Sequence, residues 1–206
     1  MAQNNPVEGS DLGKEAVFDD LTLINGYTDK YAAESKNTLI AMIDDDSLGA
    51  YRITAAVRVF KQKYGADIFK DEKPTIIKSL LRRLNRTDSP FVQVEIMHTL
   101  VVLDRYQYFE SMVPTLIQKL DHYNRVVSAL SYENLEDITK SSTRPREARV
   151  VFNSLRKIFF LSKKRLANVT TPEARLKRKL TLLRWSIKVL GTQLLKSLPP
   201  EVINLL

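Results

Sequence analysis

One internal echo constrains the fold of this chain more than any other feature. Pro74-Thr75-Ile76-Ile77-Lys78-Ser79-Leu80 returns about forty residues later as Pro114-Thr115-Leu116-Ile117-Gln118-Lys119-Leu120. Upstream, Leu39-Ile40-Ala41-Met42-Ile43 has the apolar spacing of Leu80-Leu81-Arg82-Arg83-Leu84. Each copy reads as helix, polar turn, helix. A period near forty in helical sequence implies stacked helix pairs, because a lone pair cannot cover its own apolar face. The expected fold is therefore all-α: a short helix-pair array (an α-solenoid) with a basic C-terminal helical extension. The expected organisation is a tail and short helix over 1–27, repeats over 28–139, and an extension over 140–206 packed on the repeats.

The local signals follow in order. Residues 1–10 are polar and expected to lack fixed structure. Ser10 is placed to cap a helix bearing Leu12, Val17, Leu21 and Ile24, broken at Asn25-Gly26. Thr28 is the expected cap of the next helix, which runs to about Ile43. Asp44-Asp45-Asp46-Ser47 is a turn, followed by a helix with the stripe Ile53, Ala56, Val57 and Phe60, stopped at Gly65. Pro74 suits a helix start, with Ile76, Ile77, Leu80, Leu81 and Leu84 inward. Ser89 and Pro90 supply cap and first residue of the next helix, whose expected inward stripe is Val94, Met97, His98, Val101 and Val102. A helix from about Phe109 to Leu120 contains Pro114, which should kink it or mark its start. Val126, Leu130, Leu135 and Ile138 mark its partner.

Leu80-Leu81-Arg82-Arg83-Leu84, then Thr87-Asp88-Ser89-Pro90-Phe91-Val92, then Ile96, Leu100 and Leu103, resembles a HEAT or armadillo-type repeat. The likeness lies in the leucine-rich first helix, the Asp-containing turn, and the Pro and Val that open the second helix. Leu39 to Phe60 is similar, with Asp45, Asp46, Arg52, Ala55 and Ala56 at corresponding places. The resemblance spans about 37–139. Residues 114–138 depart from it, lacking the small residues of the second helix.

Ser141-Ser142-Thr143-Arg144-Pro145 reads as a linker, and the charge balance changes there. Residues 1–139 hold 16 Lys and Arg against 21 Asp and Glu, whereas residues 140–206 hold 16 against 3. Beyond the linker a helix from about Arg146 to Leu166 turns Ala148, Val151, Phe152, Leu155, Ile158 and Phe159 one way. Arg149, Arg156 and Lys163 recur every seven residues on another face, with Lys157, Lys164 and Arg165 beside them. Thr171-Pro172-Glu173 is the expected start of the last long helix: a cap, a first-turn Pro and an acid. Its seam is Leu176, Leu180, Leu183, Ile187, Leu190 and Leu194, ended by Pro199-Pro200.

The candidate site is an anionic-partner surface made of Arg149, Arg156, Lys157, Lys163, Lys164, Arg175, Arg178, Arg184, Lys188 and Trp185. Lys177 and Lys179 add charge to it. Such rows can neutralise phosphates or meet an acidic protein. The competing reading is that the basic third docks on its own acidic neighbours. Trp185 lies off the leucine seam, and packing is favoured over stacking. Aromatics are not interleaved with the basic rows as in single-strand binders. No catalytic set emerges. With 0 Cys there are no thiolate sites. His98 sits on an apolar stripe, and His122 lacks a second histidine at ligand spacing. Asp44-Asp45-Asp46 lacks the ligand alternation of a calcium loop.

The expectation is a non-enzyme with no cofactor or metal, acting as a protein-interaction scaffold. Nucleic-acid binding and attachment to an anionic membrane are the alternatives. No secretory leader or membrane span is read, and a cytoplasmic location is expected.

Overall fold

A computed structural model describes residues 21–104, 109–141 and 144–206. The Ser10 cap, Leu12, Val17 and the linker residues 142–143 lie outside them. The described residues fall into two compact units, divided between residues 104 and 109. The described residues are helical, without strands.

The first unit holds α1 (Leu21–Tyr31), α2 (Lys36–Asp44), α3 (Ala50–Tyr64), α4 (Lys73–Arg86) and α5 (Pro90–Asp104). α3 is its centre, packing on α1, α2 and α5. Almost its whole circumference is covered: Tyr51, Ile53, Ala55, Ala56, Val57, Val59 and Phe60 are all buried. Ala55 and Ala56 leave the space that lets neighbours approach. Thr54, buried among them, donates its hydroxyl to the Ala50 carbonyl at 2.7 Å. α4 packs on α5 and also touches α2. It buries Ile76, Ile77, Leu80, Leu81 and Leu84, as its periodicity predicts. Each fully covered aliphatic side chain of this kind contributes about 1.5–3 kcal/mol.

Three local readings give way to packing. The chain does not break at Asn25-Gly26: α1 continues through both to Tyr31. Ile24 is buried against Tyr51 and Phe91, and that contact outweighs the roughly 1 kcal/mol cost of a helical glycine. Thr28 is thus not a cap. Its hydroxyl donates back to the Ile24 carbonyl at 2.8 Å, and Ser35 caps α2 by accepting from the Thr38 amide. In α5 the inward face is Phe91, Val92, Ile96, Met97, Leu100 and Leu103. His98 and Val102 are exposed, contrary to the expected stripe, while Val94 and Val101 are half-buried. That helix is apolar on every side, so periodicity alone could not fix its phase. Ser89 precedes α5, yet its buried hydroxyl makes no cap bond.

The second unit holds α6 (Phe109–Lys119), α7 (Arg125–Ser141), α8 (Pro145–Leu166) and α9 (Ala174–Leu190), then a 3-10 helix (Thr192–Ser197) and α10 (Pro200–Ile203). Pro114 lies inside α6, not at its start. α6 packs on α7 and α8; α9 packs on α7 and α8; α10 packs on α8. The inward face of α7 keeps the expected Leu135 and Ile138 and departs from the expected one at Val126 and Leu130. Val127, Ser128, Ser131, Asn134, Leu135 and Ile138 are buried, while Val126 is 51% exposed and Leu130 half-buried. Asn124 sets that face: its side-chain oxygen accepts from the Val126 and Val127 amides. Ser128 is tolerated inside because its hydroxyl donates to the Leu120 carbonyl at 2.7 Å. Ser128 and Ser131 therefore supply the small residues that the sequence reading found lacking.

α8 matches its predicted span and stripe apart from Ile158, which is half-buried. α9 begins later than expected, with Glu173 at the cap position rather than Thr171. It also ends earlier, at Gly191 and not at Pro199-Pro200. Gly191 has φ 106°, a backbone that side-chain-bearing residues avoid, and its amide donates to the Ile187 carbonyl at 2.8 Å. Leu194 accordingly falls in the 3-10 helix.

Candidate functional site

Between residues 148 and 172 the chain has six Lys and Arg and no Asp or Glu. Most of that segment is α8, so helical geometry decides where the charges point. Ala148, Val151, Phe152, Leu155 and Phe159 take the buried side. At 3.6 residues per turn, Arg149, Arg156 and Lys163 then form one outer row, and Lys157 and Lys164 form a second beside it. All five are exposed.

Phe160 falls between the two rows, 42% exposed, and Leu161 next to it is 83% exposed. This corrects the expectation that no aromatic is interleaved with the basic rows. The guanidinium of Arg156 stands 5.4 Å from the Phe160 ring centroid, and its Nε donates to the Ser197 carbonyl at 2.9 Å. These contacts hold one cation in place without neutralising it. Lys157, Lys163, Lys164 and Arg165 make no ion pair among the described residues. The last three also sit at the negative end of the α8 dipole, a favourable place for cations in any helix.

The α9 residues behave differently. Lys179 grips the Asp121 carboxylate at 2.7 and 2.8 Å. Arg175 donates to the Asp121 and Tyr123 carbonyls, and Arg178 to the Ser128 hydroxyl while lying 5.4 Å from the Tyr132 ring. Burial and the Glu136 carboxylate push the Tyr132 phenol above its ordinary value. Arg184 donates to the Leu205 and Leu206 carbonyls. Lys188 is exposed and Trp185 half-buried. The ten predicted residues are thus not one patch: five share the α8 outer face, while Arg175 and Arg178 face the α6–α7 turn and the start of α7.

In the first unit, several charged side chains are paired. The Asp44-Asp45-Asp46 turn is held by α4: Arg82 pairs with Asp44, and Arg83 and Arg86 with Asp46 at 2.9 and 3.1 Å. Arg83 also donates to the Ile43 carbonyl at 2.7 Å. Glu95 of α5 accepts from Arg58 and Lys61 of α3. Among the described residues no three acidic or histidine side chains gather in a form that could hold a metal ion, and no helix is long and apolar enough to cross a membrane.

Sequence reasoning missed Phe160, Leu161 and Arg125. The first two were readable, since both fall outside the stripe that ends at Phe159. Arg125 gained meaning only when the starts of α7 and α9 came together. Comparison with protein-family models, curated proteins and solved structures finds no match for this chain.

Proposed function

We propose that this protein is a non-catalytic interaction module of the HEAT-like helix-pair type, which docks an acidic protein segment on the outer face of α8. The helix-pair reading is supported by the contact pattern in each unit. α2–α3 and α4–α5 pair, first helix touches first helix, and second touches second; α6–α7 and α8–α9 do the same. Ion pairs join neighbouring pairs at sequence separations near the forty-residue echo, as in Lys36–Glu72 and Arg86–Asp46.

The observation that carries the docking reading is the exposed Phe160 between the uncompensated basic rows, with the exposed Leu161 beyond the second row. Exposed aromatic and aliphatic groups ringed by cations suit a partner with carboxylates around an apolar anchor. A duplex backbone would engage the charges and leave the apolar pair without a function. An anionic membrane is the second reading, favoured by the same apolar pair.

The test measures wild type against the triple reversal of Arg149, Arg156 and Lys163 to Glu. The probes are an Asp/Glu-rich amphipathic peptide, duplex DNA and anionic vesicles, each at low and physiological salt. Peptide binding that survives physiological salt and is lost in both the reversal and Phe160→Ala is the expected result. DNA binding with a log–log salt slope of about −0.9 per neutralised phosphate would replace it with the nucleic-acid reading.

A further inference from the structure

A second basic site lies in the 109–206 unit, away from the α8 face. A cleft of ≈ 510 Å³ is lined by Arg125, Ser128 and Ala129 of α7 and by Glu173, Ala174, Arg175 and Arg178 at the start of α9. Its volume lies in the range of small-molecule sites. Three arginines face one carboxylate.

The placement of those arginines is unusual on physical grounds. Helix N-termini carry partial positive charge and ordinarily collect Asp and Glu. Here α7 and α9, 17 residues each, have no acid in the first turn. Arg125 is instead the first residue of α7, and Arg175 the second of α9. The α9 cap position, Glu173, makes no side-chain cap bond, so the first-turn amides of α9 are not satisfied by it. Cations and the uncapped positive end of α9 therefore meet at one cleft, whereas the first amides of α7 are already taken by Asn124.

The anchoring groups are neutral. Arg175 is held by the carbonyls of Asp121 (3.5 Å) and Tyr123 (3.3 Å). Arg178 is held by the Ser128 hydroxyl (3.5 Å) and the face of Tyr132. The nearby Asp121 carboxylate is taken by Lys179. Carbonyls, a hydroxyl and a ring orient a guanidinium and leave its charge and further N–H groups available. Arg125 is exposed with no hydrogen bond or ion pair among the described residues.

We propose that this cleft binds the phosphate of a small phosphomonoester. Arg125, Arg175 and Arg178 supply forked donors, the α9 N-terminus faces the anion, and the space beside Ala129 and Ala174 takes the body of the ligand. Glu173 stands at the margin and sets a preference for ligands whose remaining groups are neutral or donate hydrogen bonds. The site is independent of the α8 docking face: neither needs the other.

The experiment uses the full chain. Calorimetric titrations with inorganic phosphate, adenosine monophosphate and adenosine are run beside flotation with phosphatidic-acid vesicles. Wild type is compared with Arg125→Ala, Arg178→Lys and, as a control on α8, Lys163→Glu. Arg125 is exposed and its truncation leaves the fold intact, which circular dichroism checks. The expected result is binding of the phosphomonoesters and not of adenosine, weakened at least tenfold in Arg125→Ala and in Arg178→Lys and unchanged in Lys163→Glu. Adenosine monophosphate binding identifies a soluble source of the phosphate; binding confined to the vesicles, with the same variant sensitivity, identifies a lipid headgroup. No binding of any phosphate compound, or binding insensitive to both arginine variants, would overturn the proposal. Loss of binding in Lys163→Glu alone would move the phosphate to α8 and overturn it too.

Discussion

α4 and α8 are both rich in arginine and lysine, and they use them in opposite ways. α4 faces the Asp44–Asp46 turn, and Arg82, Arg83 and Arg86 each pair with a carboxylate there. On α8 the outer rows meet no carboxylate among the described residues: the segment 148–172 has none, and none from another segment pairs with them. The difference teaches that a basic helix becomes a surface for others only where its own fold withholds acids. Net charge locates the imbalance within the sequence; the placement of acids decides which cations are left over.

That comparison breaks first at the core. Leu84 is 0% exposed, so Leu84→Ala should cost on the order of 2–5 kcal/mol in urea unfolding of the chain. A loss below about 0.5 kcal/mol would mean that α4 is not seated by its leucine stripe, and its arginines would then lose their fixed partners.

The contrast sharpens with the cations themselves. Arg83 is buried and donates to the Ile43 carbonyl, so Arg83→Ala should cost about 1–3 kcal/mol, mostly by leaving that carbonyl unsatisfied. Its ion pair adds little, since Asp46 is 63% exposed and screened. Reversing Arg149, Arg156 and Lys163 together should change stability by less than about 1 kcal/mol, as expected of surface positions. If the triple reversal proved costlier than Arg83→Ala, the α8 rows would be structural.

The smallest effect concerns a paired cation at the start of α8. Arg146 donates to Glu110 at 2.7 Å and holds that carboxylate below its ordinary value. A lowered folded pKa contributes stability that is present above the unfolded value of about 4.3 and is lost as pH falls through the folded one. Carboxyl-detected NMR should show Glu110 titrating below the ordinary range, and Arg146→Ala should return it upward. An unmoved midpoint would show that the pair does not persist in solution.

Much of the fold was legible where one face is apolar and the other polar. The stripes of α4 and α8 and the stop at Gly65 follow from periodicity and one glycine. In α5 and α7 the phase was only partly legible, for opposite reasons: Met97, Leu135 and Ile138 are buried as expected, and the rest of each stripe shifts. α5 is apolar all round, and α7 carries serines inward whose hydroxyls are satisfied by carbonyls. The candidate site was legible as charge and not as geometry. The rows on α8 follow from heptad spacing, whereas Arg175, Arg178 and Lys179 read as more of the same patch until their carbonyl, hydroxyl and carboxylate partners came into view.

The sequence by itself determined the helical class, the forty-residue spacing and the reversal of charge near residue 140. These rest on local periodicity and composition, which need no knowledge of neighbours. Only the tertiary structure decided that α1 runs through Asn25-Gly26 and which cations stay unpaired. Each of those depends on groups distant in sequence: Ile24 against Tyr51 and Phe91, Lys179 against Asp121, Arg125 beside Arg175. Burial and pairing are properties of a place in the fold, and a residue's own chemistry states only what it will accept there.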